Sequence, residues 1–276
     1  MTSPCRSAEL LLVVLLLAAP AAAAEPGDLR VCADPGNLPF SNRAGEGFEN
    51  RIAALLGRDL GRAIAYTWWA QRRGFVRNTL KAGTCDVVMG VPKGFEPVLT
   101  TQPYYRSSYV FVTRTGDGPW IASLDDPDLR HLRIGVQLVG DDGATSPPGL
   151  ALSRRGIIAN VRGFPVYGDH RAAVPAAPIV DAVAAGEIDL AIVWGPLAGY
   201  LARHAPVALT LTPVSPLVDR PMLPMLFDIA IGVRREDKAL RDELSQALAR
   251  NRVAIDAILD DYGVPRLPTV VSAARP

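Results

Sequence analysis

The chain has 276 residues, 49% of them hydrophobic and 21% charged, with a formal net charge of +1. A balance this close to neutral argues against a nucleic-acid binder working through a basic face and against polybasic membrane attachment. The length supports one large core or two smaller ones.

Residues 1–24 read as a cleaved secretory signal. Arg6 precedes an apolar core from Leu10 to Leu17, and Ala22-Ala23-Ala24 fits a small-residue cleavage site before Glu25. An uncleaved anchor is the alternative, but the apolar run falls short of the roughly 20 residues that a spanning helix needs. Cys5 lies ahead of the apolar core, so it is not placed as a lipid-anchored cysteine. Cleavage removes Arg6 and Glu9 together and leaves the net charge unchanged. Cys32 and Cys85 remain, and in an exported chain they suggest a disulfide between neighbouring strands; two buried free thiols are the alternative.

The exported part opens on a strand, Leu29–Ala33, that runs into the turn formers Asp34-Pro35-Gly36-Asn37. Pro35 and Pro39 keep this stretch out of a central strand. Phe48, Ile52, Leu55, Leu56 and Leu60 then recur at helical spacing. Ala63–Trp69 reads as a second strand, and a helix carries Phe75, Val76 and Leu80. Cys85–Val91 is apolar throughout, as a strand buried on both faces should be. After a loop from Pro92 to Thr101, Tyr104-Tyr105 and Tyr109–Val112 make a further strand.

A second α/β pattern follows the break at Gly116-Asp117-Gly118-Pro119. It holds a short helical turn at Leu124–Leu129, a strand at Arg133–Gln137 ending in Gly140–Thr145, and a helix around Leu150-Ala151-Leu152. A strand at Asn160–Val166, a helix at Ile179–Ala185 closed by Gly186, and a buried strand at Ile188–Trp194 come next. A helix at Leu197–Arg203 and a strand at Val207–Leu211 complete this half. A proline-rich return, Pro213 to Pro224, leads to a strand at Phe227–Val233 and one long amphipathic helix from Glu236 to Asp261. Leu80–Val88 and Val183–Ala191 share one plan, helix, glycine, polar gap, Asp, apolar strand, so two similar α/β lobes are expected.

The order of motifs resembles the periplasmic solute-binding proteins of the amino-acid-binding class. The residues that carry it are Asp34…Pro39-Phe40-Ser41, Gly47-Phe48-Glu49, Ala82-Gly83-x-Cys85-Asp86, Pro103-Tyr104-Tyr105, Ala185-Gly186-x-x-Asp189 and Phe227–Gly232. The resemblance implies an α/β, type 2 periplasmic-binding-protein fold: two lobes, a central cleft and two crossover hinges, in the periplasm. Lobe I would take residues 25–115 and 223–276, and lobe II residues 116–222.

A narrower set is similar to the quinoprotein-dehydrogenase-associated branch (MoxJ/XoxJ type). It comprises Cys32–Asn42, Gly47–Asn50, Gln71-Arg72-Arg73-Gly74-Phe75-Val76-Arg77-Asn78-Thr79-Leu80, Cys85–Pro92 and Pro103–Ser107. This implies a partner dehydrogenase, an alcohol (methanol) dehydrogenase using pyrroloquinoline quinone (PQQ), and a part in its maturation or activation. The chain departs from amino-acid binders in two places. Lys93–Pro97 lacks the Arg that clamps a ligand carboxylate. Trp194-Gly195 stands where those proteins place an Asp for the ammonium. Both departures argue against a free α-amino acid as ligand. A transporter substrate-binding component for a small solute other than an amino acid is the alternative.

The cleft is expected to draw on Asp34, Asn37, Phe40 and Ser41 after the first strand, and on Trp69, Gln71, Arg72 and Arg73 after the second. Gly90, Tyr104 and Tyr105 would join them from lobe I, with Asp141, Thr145 and Trp194 facing them from lobe II. Aromatic and guanidinium groups converging there suit a planar or anionic ligand or a protein surface. Strand packing accounts equally for the tryptophans, and helix capping for Asp141. No nucleophile elbow or phosphate loop is present, and His131, His170 and His204 are scattered, so neither an enzyme nor a metal site is expected and no cofactor is implied. A hydrolyase using Glu49, Asp34 or Glu96 is the remaining catalytic alternative.

Overall fold

A computed structural model describes residues 27–139, 144–167 and 174–268. The signal segment and Asp141 lie outside the described residues.

The first lobe is built on β1 (Leu29–Ala33), with the small ribbon β2 (Gly36–Asn37) and β3 (Ser41–Asn42) in the loop behind it. Helix α1 (Phe48–Asp59), β4 (Ile64–Trp68), the short α2 (Phe75–Asn78), β5 (Val87–Pro92) and β6 (Leu99–Thr100) follow. β1 lies between β4 and β5 and runs parallel to both. β7 (Tyr105–Arg114) then leaves this lobe as one unbroken strand that takes in Arg106–Ser108 between the two apolar runs.

The second lobe holds a 3₁₀ turn (Pro127–Arg130), β8 (Ile134–Val139), β9 (Ala144–Thr145), α3 (Pro147–Arg154) and β10 (Val161–Pro165). α4 (Pro178–Ala184), β11 (Leu190–Trp194), α5 (Gly195–His204) and β12 (Leu209–Pro213) complete it, with the ribbon β13 (Val218–Asp219) and β14 (Leu223–Pro224) on the way back. β8 lies between β10 and β11, again all parallel. Gly186 takes φ +72° just past α4, which lets the chain turn into β11.

The lobes share their hinge strands. Tyr105–Ser108 of β7 pair antiparallel with β15 (Leu226–Val233), while Tyr109–Val112 pair antiparallel with β11. The change of partner falls between Ser108 and Tyr109, inside the strand, whereas a boundary at 115/116 sits at its far end. β15 also pairs with β5, so a single sheet path runs β10-β8-β11-β7-β15-β5-β1-β4.

After β15 the expected long helix is two, α6 (Lys238–Arg250) and α7 (Arg252–Asp261). Asn251 separates them, and its side chain donates to the Ala247 carbonyl at 2.9 Å, closing α6. The lobe I core gathers Val31, Phe48, Ile52 and Leu56 with Ile231, Leu244 and Ile255. Lobe II has a core on each face of its sheet, one around Phe111, Leu129 and Leu152, the other around Val112, Val183 and Val193. Trp194 and Phe227 pack against the lobe I core and against the first of these, so they seal the junction.

Cys32 in β1 and Cys85 just ahead of β5 form a disulfide with Cα atoms 5.5 Å apart. Both are buried, beside Phe75, Leu80 and Val88.

Candidate functional site

Two neighbouring concavities open at the carboxyl ends of β1, β5, β8 and β11. The inner one is a cavity of about 240 Å³ between the lobes. Lobe I contributes Asn37, Phe40, Glu49, Gln71 and Gly90; lobe II contributes Gln137, Val139, Val166, Tyr167, Ala176, Trp194 and Leu197, with Tyr109 from the hinge strand.

Local chemistry fixes the lobe I wall. The Asp34 carboxylate accepts from the Gly36 N–H at 2.8 Å and from the Gln71 N–H at 2.6 Å, which ties the first loop to the loop after β4. Ser41 Oγ donates to the Asp34 carbonyl at 2.9 Å. Asn37 Nδ2 then reaches Gln71 Oε1 at 3.1 Å, and both side chains line the cavity. Gly47 opens α1 because a Cβ there would lie 2.0 Å from the Phe40 carbonyl oxygen. This close approach seats Phe40 against Phe48, ring centroids 5.3 Å apart, and turns Glu49 toward the cavity.

Glu49 is the one carboxylate among the described lining residues, and none of those residues is a Lys or Arg. Burial pushes its carboxyl up to about 8, so it is largely neutral at pH 7. Gly90 makes room for it: at φ +69° and within a strand, a Cβ there would meet Glu49 Oε1 at 2.1 Å. Tyr104 and Tyr105 lie behind it in the core, their hydroxyls held protonated by burial first and then by the nearby carboxylate. On the lobe II side, Gln137 Oε1 accepts from the Trp194 N–H at 2.8 Å. Trp194 makes edge contacts with Tyr109 at 5.5 Å and Phe227 at 5.7 Å.

The second concavity is an open groove of about 480 Å³ beside the first, sharing Gln71, Gly90 and Tyr167 with it. Arg72, Arg73, Arg77 and Lys81 line it over a floor that includes Phe75, Val88, Val91 and Phe95. The Arg72 guanidinium lies 5.8 Å from the Tyr167 ring, a contact from lobe I to lobe II.

The structure therefore divides the expected residues. Asn37, Phe40, Gln71, Gly90 and Trp194 line the inner cavity, and Arg72 and Arg73 line the groove. Asp34 and Ser41 are buried supports. Tyr104 and Tyr105 are core residues behind Glu49. Trp69 is 46% exposed and is not among the described lining residues; alternation packs Trp68 on the core and sends Trp69 the other way. Thr145 is exposed on β9, packed against Gly149 at the start of α3. Glu49, Tyr109, Gln137 and Tyr167 were missed as cavity residues. The Gly47-Phe48-Glu49 entry was the available signal for the first.

The whole described architecture matches one family, described as bacterial extracellular solute-binding proteins, family 3, over residues 29–264. The chain belongs to this family. It is a family of binding proteins and not of enzymes, and the fold is the type 2 periplasmic-binding fold. Within it, the chain is 34% identical to Protein MoxJ of Methylorubrum extorquens over 258 residues, 91% of this chain and 85% of that protein. The crystal structure of the periplasmic binding protein XoxJ from Methylobacterium extorquens AM1 superposes with a TM-score of 0.72 at 35% identity, covering 87% of this chain and all (100%) of that one. That of MxaJ from Methlophaga aminisulfidivorans gives 0.75 at 30% identity, with the same coverage of 87% and 100%. The family-3 chain thus groups with the MoxJ proteins along nearly its whole length.

Proposed function

We propose that this solute-binding-type protein is a periplasmic accessory protein of a PQQ-dependent alcohol dehydrogenase of the methanol dehydrogenase type, and that it aids maturation or activation of that enzyme. The observation that carries the reading is the 34% identity to MoxJ across nearly the full length of both chains. On this reading residues 1–24 are a signal peptide removed on export. Residues 25–115 with 223–276 form one lobe and 116–222 the other. Asn37, Phe40, Gln71, Gly90, Glu49 and Trp194 form the inner contact surface, and Arg72 and Arg73 its outer lip.

The cavity chemistry supports a departure from amino-acid transport. A free amino acid presents a carboxylate, which needs a guanidinium or ammonium partner when taken out of water. Among the described residues of the inner cavity there is none. Deleting the gene in its host should lower the holo-dehydrogenase activity of the periplasmic fraction, with the dehydrogenase polypeptide still exported. Unchanged activity in the deletion strain rejects the proposal.

A second reading, the substrate-binding component of a transporter for a small solute other than an amino acid, is favoured by the cavity of about 240 Å³ between the lobes. Binding to the folded state alone raises stability by mass action. A thermal-shift panel of amines, alcohols, small acids and PQQ should then produce a clear rise in Tm for one class. A flat panel removes this reading.

A further inference from the structure

Many arginines of this protein are paired with carboxylates. Arg30 and Arg234 share Asp86, Arg106 holds Asp228, Arg133 holds Asp189, and Arg155 holds Asp219. The groove beside the cavity gathers several cations that have no such pairing. Among the described residues, Arg73, Arg77 and Lys81 have no carboxylate partner, and Arg77 Nε donates to Asn78 Oδ1 at 3.4 Å. No Asp or Glu lines the groove among the described residues. Within the described residues these cations make a local positive field on a chain whose net charge is only +1.

The floor beneath them is apolar. Phe75, Val88 and Val91 are buried along it, and Phe95 stands at its edge with 37% of its surface exposed. A small free anion would use the cations and leave this floor uncovered. An extended chain bearing acidic residues around an apolar one would use both.

We propose that the groove formed by Arg73, Arg77 and Lys81 over Phe75 and Phe95 is a docking site for an acidic, extended segment of a partner protein. The identity of that partner as the dehydrogenase rests on the function proposed above; the chemistry of the groove does not. The groove continues into the inner cavity through Gln71, Gly90 and Tyr167, so a segment held in it lies at the mouth between the lobes.

The test measures binding by biolayer interferometry to two probes, the purified dehydrogenase of the same organism and a synthetic Asp/Glu-rich octapeptide with a central Trp. Wild type should bind both, more weakly as salt rises. The R73E/R77E/K81E variant should lose at least tenfold in affinity for both probes, and R73Q/R77Q/K81Q should lose an intermediate amount. The control R58E/R220E/K238E makes the same charge change away from the groove and should bind as wild type. If the dehydrogenase binds wild type and the groove variant equally, the docking site is wrong and the accessory role stands. If wild type binds the octapeptide but not the dehydrogenase, the groove stands and the proposed partner is wrong. Equal losses in groove and control variants, or tighter binding of a 20-base-pair DNA duplex than of the octapeptide, overturn the docking site.

Discussion

The two lobes are wired alike. In lobe I, Asp86 accepts from the Arg30 N–H at 3.2 Å and from its guanidinium at 3.0 and 2.6 Å, while Arg30 also donates to the Gly83 carbonyl. In lobe II, Asp189 accepts from the Arg133 N–H at 2.8 Å and from its guanidinium at 3.1 and 2.5 Å, while Arg133 donates to the Glu187 carbonyl. Both pairs are separated by 56 residues. In each lobe the clamp ties the start of the central strand to the turn entering the third, and an antiparallel hinge strand follows. The sheet orders β4-β1-β5-β15 and β10-β8-β11-β7 are the same plan executed twice. The lobes differ in reinforcement. Lobe I adds the disulfide and a second guanidinium, Arg234, on Asp86. Lobe I also supplies the cavity's carboxyl, Glu49, in the first turn of α1, whereas α3 opens on Pro147-Pro148-Gly149 and has no acid there. Among the described residues, lobe I is braced and carries the cavity's carboxyl, and the lobe II lining is uncharged.

Removing the brace should give the largest effect. Closing a loop with a sequence separation of 53 is worth about 4 kcal/mol on the chain-entropy account. Cys32→Ala/Cys85→Ala should therefore move the urea midpoint far down, and an unchanged midpoint would show that the strands hold without the bond. Asp86→Ala comes next. Burial alone would raise the Asp86 carboxyl, but Arg30 and Arg234 hold it at about 2. Its loss strands two guanidiniums at a cost of roughly 2–3 kcal/mol, reduced from the fully buried case because Arg30 is partly exposed. Because this pKa lies below the ordinary value of 3.8, the contribution is complete above that value and is lost as pH falls toward about 2.

Glu49 has the opposite sign. Its carboxyl is raised from 4.5 to about 8, so the folded state binds the proton more tightly than the unfolded chain. Wild-type stability should fall as pH rises from about 4.5 and level off above about 8, by on the order of 1–2 kcal/mol given that the group lines an open cavity. Glu49→Gln should flatten that slope, and parallel pH profiles for the two proteins would refute the assignment. Asp189→Ala should give the smallest shift, under half that of Asp86→Ala, because its partner Arg133 has 56% of its side chain exposed. Equal shifts for the two Asp variants would mean that Arg234 adds nothing.

Much of this plan was legible in the sequence. The apolar runs Val87–Val91 and Leu190–Trp194, each entered through a glycine and an Asp, marked the third strand of both lobes, and the Asp of each proved to be its clamp. Cys32 and Cys85 were readable because the neighbouring strands place them within bonding reach. The cavity was less legible, because its walls come from residues far apart in the chain. Gln137 and Tyr109 sit within strands that look like plain core, and they reach the cavity only through the way the lobes face each other. Trp69 was misleading because local alternation decided its direction. The arginines of the Gln71–Leu80 block line one groove, and composition could not say that it would be separate from the aromatic cavity.

The continuous strand Tyr105–Arg114 sets how this molecule can move. It is bonded to β15 through Tyr105–Ser108 and to β11 through Tyr109–Val112, so each ladder can stay whole while the chain bends or twists at the joint between them. It can change its winding, and strand pairs tolerate twists from about 10 to 35°. A widening of the gap can therefore be taken up at Ser108-Tyr109, and the amides bonded on either side should stay shielded from solvent exchange while the entrance gapes.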